Sequence, residues 1–150
     1  METTQNVPSS RNCELCENPG GALLWRDERL RVVLVDDPDC PGFCRVIWNA
    51  HMKEMTDLPF ADRGYLMGVV FEVEAILRAA LDPDKINLAS LGNLTPHLHW
   101  HVIPRWRDDP HFPGSVWSAR EREAPPRGLV DLDATLRERL ADRLGGGLSG

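Results

Sequence analysis

Short apolar segments separated by polar and turn-forming residues make up much of the first two thirds of this chain. Residues 22–26, 30–35, 43–48 and 85–91 are rich in Val, Leu, Ile and Trp, and Asp, Gly, Pro or Asn residues border them. Blocks of this length and composition are typical of short strands. The pattern therefore predicts several strands joined by turns.

Two segments show helical spacing instead. A long apolar stripe has a 3.6-residue period, and its members are Leu66, Val69, Val70, Val73, Ile76, Leu77, Ala80 and Leu81. Pro59 marks its start and Asp82-Pro83 its end, so one long helix is predicted here. Leucines at 132, 136, 140 and 144 recur every four residues before Gly145, which predicts a second helix near residues 131–144.

The remaining chain divides around these elements. Residues 1–11 are polar and are predicted to be a disordered tail. The strands and the long helix fall within residues 12–107, which we expect to form the domain proper. Residues 108–150 are predicted to be an irregular, Pro-rich and Arg-rich extension that carries the second helix.

Three histidines lie two residues apart in the segment His97-Leu98-His99-Trp100-His101-Val102-Ile103. In a strand these imidazoles would share one face, about 7 Å apart, while the apolar residues between them would point into a core. Imidazole can act near neutral pH as nucleophile, acid, base or metal ligand. The segment is therefore predicted to be a strand and a functional site.

Composition narrows the class of protein. A chain of 150 residues with 42% hydrophobic residues is long enough for one domain with a real core. Its net charge of −6 gives no indication of a nucleic-acid-binding surface. Neither a membrane span nor a signal sequence is recognisable, so a cytoplasmic protein is predicted, in which cysteines are more often thiols or metal ligands than disulfides.

Cysteines and carboxylates suggest further sites, each with an alternative. Cys13 and Cys16 form a CxxC, which fits a zinc half-site or a redox pair, although no βαβ context favours the redox reading. A zinc site of all four cysteines would add Cys40 and Cys44, but a Pro-Gly turn lies between them, and Cys44 fits a small core residue better. The loop at residues 36–39 has three Asp residues that could bind a hard cation or a ribose, or could simply favour a turn.

The histidine segment matches the His-φ-His-φ-His-φ-φ signature, in which φ is apolar, and the sequence over about residues 13–107 resembles the histidine triad (HIT) superfamily of nucleotide hydrolases and transferases. The surroundings agree: Pro41-Gly42 before a strand, His51 after it, and a Gly-containing loop before the triad. Phe43 is a departure, because many members have a histidine there, and we expect it to pack. The resemblance implies an α+β fold in which helices pack on one side of an antiparallel sheet of about five strands. It also implies a homodimer.

The resemblance also implies a chemistry. His99 would attack the α-phosphate of a purine nucleotide or dinucleoside polyphosphate and form a nucleotidyl-histidine intermediate. His101 would hydrogen-bond a phosphate oxygen or the leaving group, and His97 would complete the catalytic triad. The other residues expected to contact the nucleotide are Asp36 at the ribose, Asn87, Asn93 and Thr95.

A CxxC variant of the superfamily, which includes relatives of galactose-1-phosphate uridylyltransferase, carries structural zinc. The matching residues here are Cys13, Cys16, His51 and His97, two thiolates and two imidazoles. The alternative is that His97 hydrogen-bonds His99 and the cysteines are bystanders. Zinc would not be required for the chemistry itself.

Three functions remain open at this level. The leading one is a hydrolase that acts on a dinucleoside polyphosphate or a nucleoside phosphoramidate and releases a nucleoside monophosphate. The second is a transferase or phosphorylase with the same intermediate, in which phosphate replaces water. The third is a non-catalytic nucleotide-binding protein, which an intact middle histidine argues against.

Overall fold

The computed structural model describes residues 12–148, so the predicted tail at residues 1–11 lies outside it. In chain order the elements are α1 (Glu14–Glu17), β1 (Ala22–Arg26), β2 (Leu30–Leu34), β3 (Cys44–Trp48), a 3-10 turn (Met55–Asp57), α2 (Phe60–Leu81), β4 (Lys85–Ala89), β5 (His99–Arg105) and α3 (Leu132–Leu144). This is the expected α+β fold, with five strands, one long helix and a C-terminal helix.

The strands form a single antiparallel sheet in the order β1-β2-β3-β5-β4. β5 lies between β3 and β4 and is hydrogen-bonded to both. Within this ladder His101 pairs with Arg45 on one side and Ala89 on the other, while His99 pairs with Ile47. The strand that carries the histidines is therefore an inner strand, fixed along both edges.

The main core lies between one face of the sheet and the helices α2 and α3. The apolar stripe predicted for α2 is the side of the helix that is buried. The sheet contributes Leu30, Val32, Cys44, Val46, Trp48, Leu98 and Val102, and α3 contributes Leu136 and Leu140. Burying one such aliphatic side chain is worth about 1.5–3 kcal/mol, so this layer supplies most of the hydrophobic stabilisation. Among the described residues no helix, α2 included, is long and apolar enough to span a membrane.

We call the opposite side of the sheet the site face, because Arg45, Ile47, His99 and His101 project from it as paired neighbours. Two segments cover it. The N-terminal segment, residues 13–21, includes α1, a helix that the sequence did not predict, and its Cys13 and Leu15 pack on Val33 and Ile47. At the other end Cys40, Phe43 and Ile103 form a small buried cluster that Val35 and Val116 join.

The C-terminal extension is fastened to the sheet by a buried ion pair. The Asp109 carboxylate accepts hydrogen bonds from Arg105 Nε at 2.8 Å and Nη2 at 3.1 Å. It also accepts from the backbone N–H groups of Trp106, His111 and Phe112. Burial alone would raise the pKa of Asp109, but the hydrogen bonds and charge of Arg105, with the N–H groups of His111 and Phe112, hold it below its ordinary value.

We expect Asp109→Asn to lower the free energy of unfolding by about 3 kcal/mol at pH 7, because it leaves the buried Arg105 guanidinium without a counter-charge. Since the folded pKa of Asp109 lies below the ordinary one, its contribution is complete above the ordinary pKa and is lost as the pH falls through the folded value. The difference between wild type and variant should therefore shrink below about pH 4. Urea unfolding across this pH range measures both effects.

Asp133→Asn is the matched control, since Asp133 forms an exposed ion pair with Arg137. An exposed pair of this kind contributes little, so the control should unfold like wild type. Equal stability of Asp109→Asn and wild type at pH 7 would contradict the role given to the buried pair.

Candidate active site and metal centre

β5 begins at His99, two residues later than the sequence predicted, and this changes the expected row of three imidazoles. The N–H of His97 donates to Thr95 O at 2.8 Å and that of Leu98 to Met52 O at 2.7 Å, so the chain bends before it joins the sheet. His97 consequently turns away from the other two rings. The rings of His99 and His101 meet edge to face, with centroids 4.8 Å apart rather than about 7 Å.

Hydrogen bonding fixes the tautomer of His99. Its Nδ1 lies 2.5 Å from the backbone oxygen of His97. A carbonyl oxygen only accepts, so Nδ1 carries the proton and Nε2 keeps its lone pair. Burial lowers the pKa of His99, and the positive charge of Arg45 lowers it further, against the opposing effect of the hydrogen bond to His97. His99 is therefore a neutral imidazole near pH 7 with an available nucleophilic nitrogen.

His101 is held among aromatic rings. Phe43 contacts it edge-on at 5.4 Å between centroids, and Trp117 of the C-terminal extension contacts it at 5.0 Å. Burial, followed by the charges of His99 and Arg45, lowers the pKa of His101 to about 3. At neutral pH His101 is thus an uncharged hydrogen-bonding group. Phe43 packs here, as expected.

The structure brings Cys13, Cys16, His51 and His97 together, and their ligand atoms all lie within 4.8 Å of one another. Both thiol sulfurs are 3.4 Å from His97 Nδ1, and the Cys16 sulfur is 3.3 Å from His51 Nδ1. In a tetrahedral zinc site, with Zn–S near 2.3 Å and Zn–N near 2.0–2.1 Å, ligand atoms are about 3.3–3.8 Å apart. The donor set and its spacing both fit zinc.

His97 is oriented for this cluster by its second ring nitrogen. Nε2 donates to the backbone oxygen of Trp48 at 2.6 Å, which leaves the lone pair of Nδ1 facing the two thiols. Such an outer hydrogen bond is the usual way in which a metal-binding imidazole is fixed. The side chain of His97 therefore makes no hydrogen bond to His99, and the expected His97–His99 hydrogen bond is made through the backbone oxygen of His97. Only its backbone oxygen contacts His99.

The alternative prediction of a zinc site made of four cysteines is wrong, because Cys40 and Cys44 lie away from Cys13 and Cys16. Cys44 is buried in the main core, as expected, and Cys40 packs with Phe43 and Ile103. Burial raises the pKa of each of these thiols to about 12. Both are protonated small core residues.

The other residues expected to contact a nucleotide occupy varied positions. Asn93 is exposed and Thr95 half-buried in the loop before His97, and Asp36 is exposed just after β2. Asn87 is half-buried on β4, and its side-chain oxygen accepts from Arg105 Nη1 at 2.8 Å. In the same loop as Asp36, Asp39 is not free for a cation, because Arg120 and His111 contact its carboxylate.

Two cavities flank the histidine strand. One of about 300 Å³ is lined by His97 and His99 together with Lys53, Glu54, Ser90 and Gly92. Another of about 340 Å³ lies beyond His101 and is lined by Asn87, Ala89, Ile103, Ser115, Val116 and Trp117. Each is at the lower end of the range for small-molecule pockets. Together they offer a space on either side of the two histidines.

Sequence reasoning missed three residues of this region. The hydroxyl of Ser90 donates a hydrogen bond to the backbone oxygen of His99 at 2.8 Å. Trp117 comes from an irregular segment with no local signal. Arg45 did have a signal, because it is a charged residue inside an otherwise apolar strand.

Comparison with known proteins identifies the family. The family model of the HIT domain matches residues 18–108, which is more than half of the chain. The AP-4-A phosphorylase of Mycobacterium tuberculosis is 28% identical over 98 residues, 61% of this chain and 50% of that protein. The match therefore spans half the length of that relative.

Solved structures agree. A histidine triad protein from Sinorhizobium meliloti superimposes with a TM-score of 0.66 and 29% identity, covering 83% of this chain and 90% of its own. A zinc-bound histidine triad family protein from Mycobacterium smegmatis has a TM-score of 0.63 and 24% identity, covering 90% and 97%. By sequence and by fold, this chain belongs to the HIT domain family.

Proposed function

We propose that this protein cleaves nucleotides at the α-phosphorus through a nucleotidyl-histidine intermediate on His99, and that water then releases a nucleoside monophosphate. The observation that carries this proposal is the state of His99. Its ring is neutral, Nδ1–H is held by His97 O, and Nε2 makes no hydrogen bond within residues 12–148. A neutral imidazole with one free, fixed nitrogen is a competent nucleophile at pH 7.

The proposed reaction has two steps, transfer of the nucleotidyl group to His99 and hydrolysis of the intermediate. In the first, the Nε2 lone pair attacks the α-phosphorus, an N–P bond forms, and the bond from phosphorus to the leaving group breaks. A leaving phosphate oxygen departs with the electron pair, whereas a leaving nitrogen also takes a proton from solvent and departs as an amine. The ring gains positive charge while Nδ1–H stays hydrogen-bonded to His97 O, which stabilises that charge. In the second, a water oxygen attacks phosphorus, the N–P bond breaks, and the proton lost by water leaves to solvent or to a phosphate.

The other roles follow from position. His101 would hydrogen-bond a phosphate oxygen or the leaving group as a neutral imidazole, and the side chains and backbone N–H groups at Asn93 and Thr95 would hold non-transferred oxygens. Asp36 would accept from ribose hydroxyls. The role of Asn87 would be indirect, because its side-chain oxygen is already used by Arg105.

Zinc is the metal that the donor set of Cys13, Cys16, His51 and His97 fits. These four residues would fill a closed tetrahedral shell, which is a structural site because no position remains for water or substrate. Zinc would supply a cross-link between the N-terminal segment and the sheet, and it would fix His97, whose backbone oxygen positions His99. The zinc-bound Mycobacterium smegmatis protein is compatible with this assignment.

A phosphorylase is the second candidate, supported by the similarity to an AP-4-A phosphorylase. Phosphate would then replace water in the second step, and the product would be a nucleoside diphosphate. Both candidates leave the role of His99 unchanged. We also expect a homodimer from the family resemblance.

The test is a substrate panel with the purified protein. Diadenosine tetraphosphate and an adenosine phosphoramidate are incubated with and without inorganic phosphate, and products are separated by anion-exchange chromatography. AMP from either substrate supports the hydrolase, whereas ADP that appears only with phosphate supports the phosphorylase. Binding of AMP without turnover of any substrate would overturn both and leave a nucleotide-binding protein.

A further inference from the structure

Arg45 lies on the site face and uses only part of the hydrogen-bonding capacity of its side chain within the described structure. It lies on β3 directly opposite His101, and its β2 neighbour is Val33. The side chain is half-buried. Its Nη1 donates to Gly20 O at 2.9 Å, while its Nε is buried with no acceptor among residues 12–148.

Arg31, on the same face of the neighbouring strand, shows what a structural arginine looks like here. Its Nε donates to Pro19 O, its Nη1 to the Asn49 side chain, and its Nη2 to the backbone oxygens of Leu15 and Asn18. All three nitrogens of this guanidinium have acceptors, and three of its four hydrogen bonds go to the N-terminal segment that it anchors. Arg45 has one such acceptor, so anchoring leaves most of its hydrogen-bonding capacity unexplained.

A second unpartnered nitrogen lies beside it. Nδ1 of His101, the cross-strand partner of Arg45, is also buried without a hydrogen bond among the described residues. A buried polar atom left unpaired costs about 1–3 kcal/mol, so native structures rarely keep two on adjacent residues unless something binds there. Both atoms belong to residues on the face that carries His99.

The charge of the neighbourhood indicates what binds. Arg45 forms no ion pair within the described part of the chain, and Glu14 is the one carboxylate whose charge stabilises it. Its own charge reaches His99 and His101 and helps to keep both rings neutral. Its guanidinium carbon lies 5.7 Å from the Phe43 ring, in a partly apolar setting where an anion is held more strongly than in water.

We propose that Arg45 binds a phosphate oxygen of the nucleotide through its half-buried guanidinium, beside the ring of His101. This rests on the proposed function and narrows its substrate class to nucleotides whose phosphate charge supplies a large share of the binding energy. Arg45 is then a substrate-binding residue that discriminates between a nucleotide and its uncharged nucleoside.

The test compares Arg45→Met with wild type in calorimetric binding of adenosine, AMP and ATP, without any turnover assay. Hydrogen bonds to charged groups are worth about 1.5–3 kcal/mol, so the affinity for AMP or ATP should fall at least tenfold while that for adenosine changes less than twofold. Arg45→Lys keeps the charge and should lose less than Arg45→Met. It also provides a folded variant if the methionine side chain is not tolerated.

Arg31→Lys is the matched control, because it loosens the same N-terminal segment from the same face. It should change the ratio of AMP to adenosine affinity less than twofold. The proposal is overturned if the Arg45 variants weaken all three ligands equally or none of them, or if wild type binds AMP no better than adenosine. Discrimination by Arg45 together with absent turnover of the substrate panel would refute the proposed catalysis and leave the role of Arg45 in phosphate binding intact.

Discussion

Replacing His99 by alanine is expected to lower nucleotide release at least a hundredfold. The variant loses the nitrogen that forms the N–P bond, and no other imidazole among the described residues can take its place. His101 lies next to it but is closed in by Phe43 and Trp117, and His97 faces the thiols. Because phosphate contacts remain, the affinity for AMP should change only a fewfold, so the loss should appear in kcat.

Intact-protein mass spectrometry after an alkaline quench adds a direct measurement, since the N–P bond is labile in acid. Wild type should carry a nucleotidyl mass increment during turnover, and His99→Ala should carry none. His111→Gln serves as control, because His111 is a buried histidine of the C-terminal extension that contacts Asp39 and Ser118. Activity of His99→Ala within tenfold of wild type would assign the nucleophile to another residue.

Cys13→Ser is expected to have the largest effect on stability. A hydroxyl is a poor ligand for zinc, so the bound metal should fall from about one ion per chain to well below half. Zinc contributes roughly 10–16 kcal/mol to the folding of zinc-finger peptides. This domain also has its own hydrophobic core, so we expect Cys13→Ser to lower its free energy of unfolding by a smaller amount, on the order of 5 kcal/mol. Activity at a temperature where the variant is folded should change far less, since His99 is not a ligand.

Elemental analysis and thermal unfolding measure these effects together. A chelator should bring wild type to the unfolding temperature of the variant and should leave Cys13→Ser unchanged. Cys40→Ser is the matched control, because it alters a buried thiol outside the cluster and should retain the metal. Wild type that is purified without chelator and holds well under one zinc per chain would refute the zinc assignment.

The sequence predicted the strands and α2 well because local patterns decide them. Val46 and Trp48 alternate with Arg45 and Ile47, and that alternation separates core from site face whatever the rest of the chain does. The resemblance to the HIT superfamily, rather than the CxxC alone, indicated the four metal-ligating residues that the structure brings together. The strands and α2 could be predicted because each local pattern has a physical reason of its own.

Contacts between distant segments could not be predicted in this way. The histidine strand starts late because the N–H groups of His97 and Leu98 donate to Thr95 O and Met52 O, although Leu98 O still accepts from Trp48 N of β3. The position of Trp117 depends on how residues 106–118 fold back over the sheet. Local periodicity carries no information on either, since both depend on contacts that form only in the finished fold.

The buried Arg105–Asp109 pair also bears on where this chain could be joined to another in a chimera. The HIT domain match ends at residue 108, one position before the carboxylate that neutralises Arg105. A chimera joined at that boundary would take Arg105 and Asp109 from different proteins. It would also replace Trp117, which contacts His101, by a residue of the other protein. A join that preserves both should lie beyond Trp117, so the structural unit around His101 extends past the residues that the HIT domain model matches.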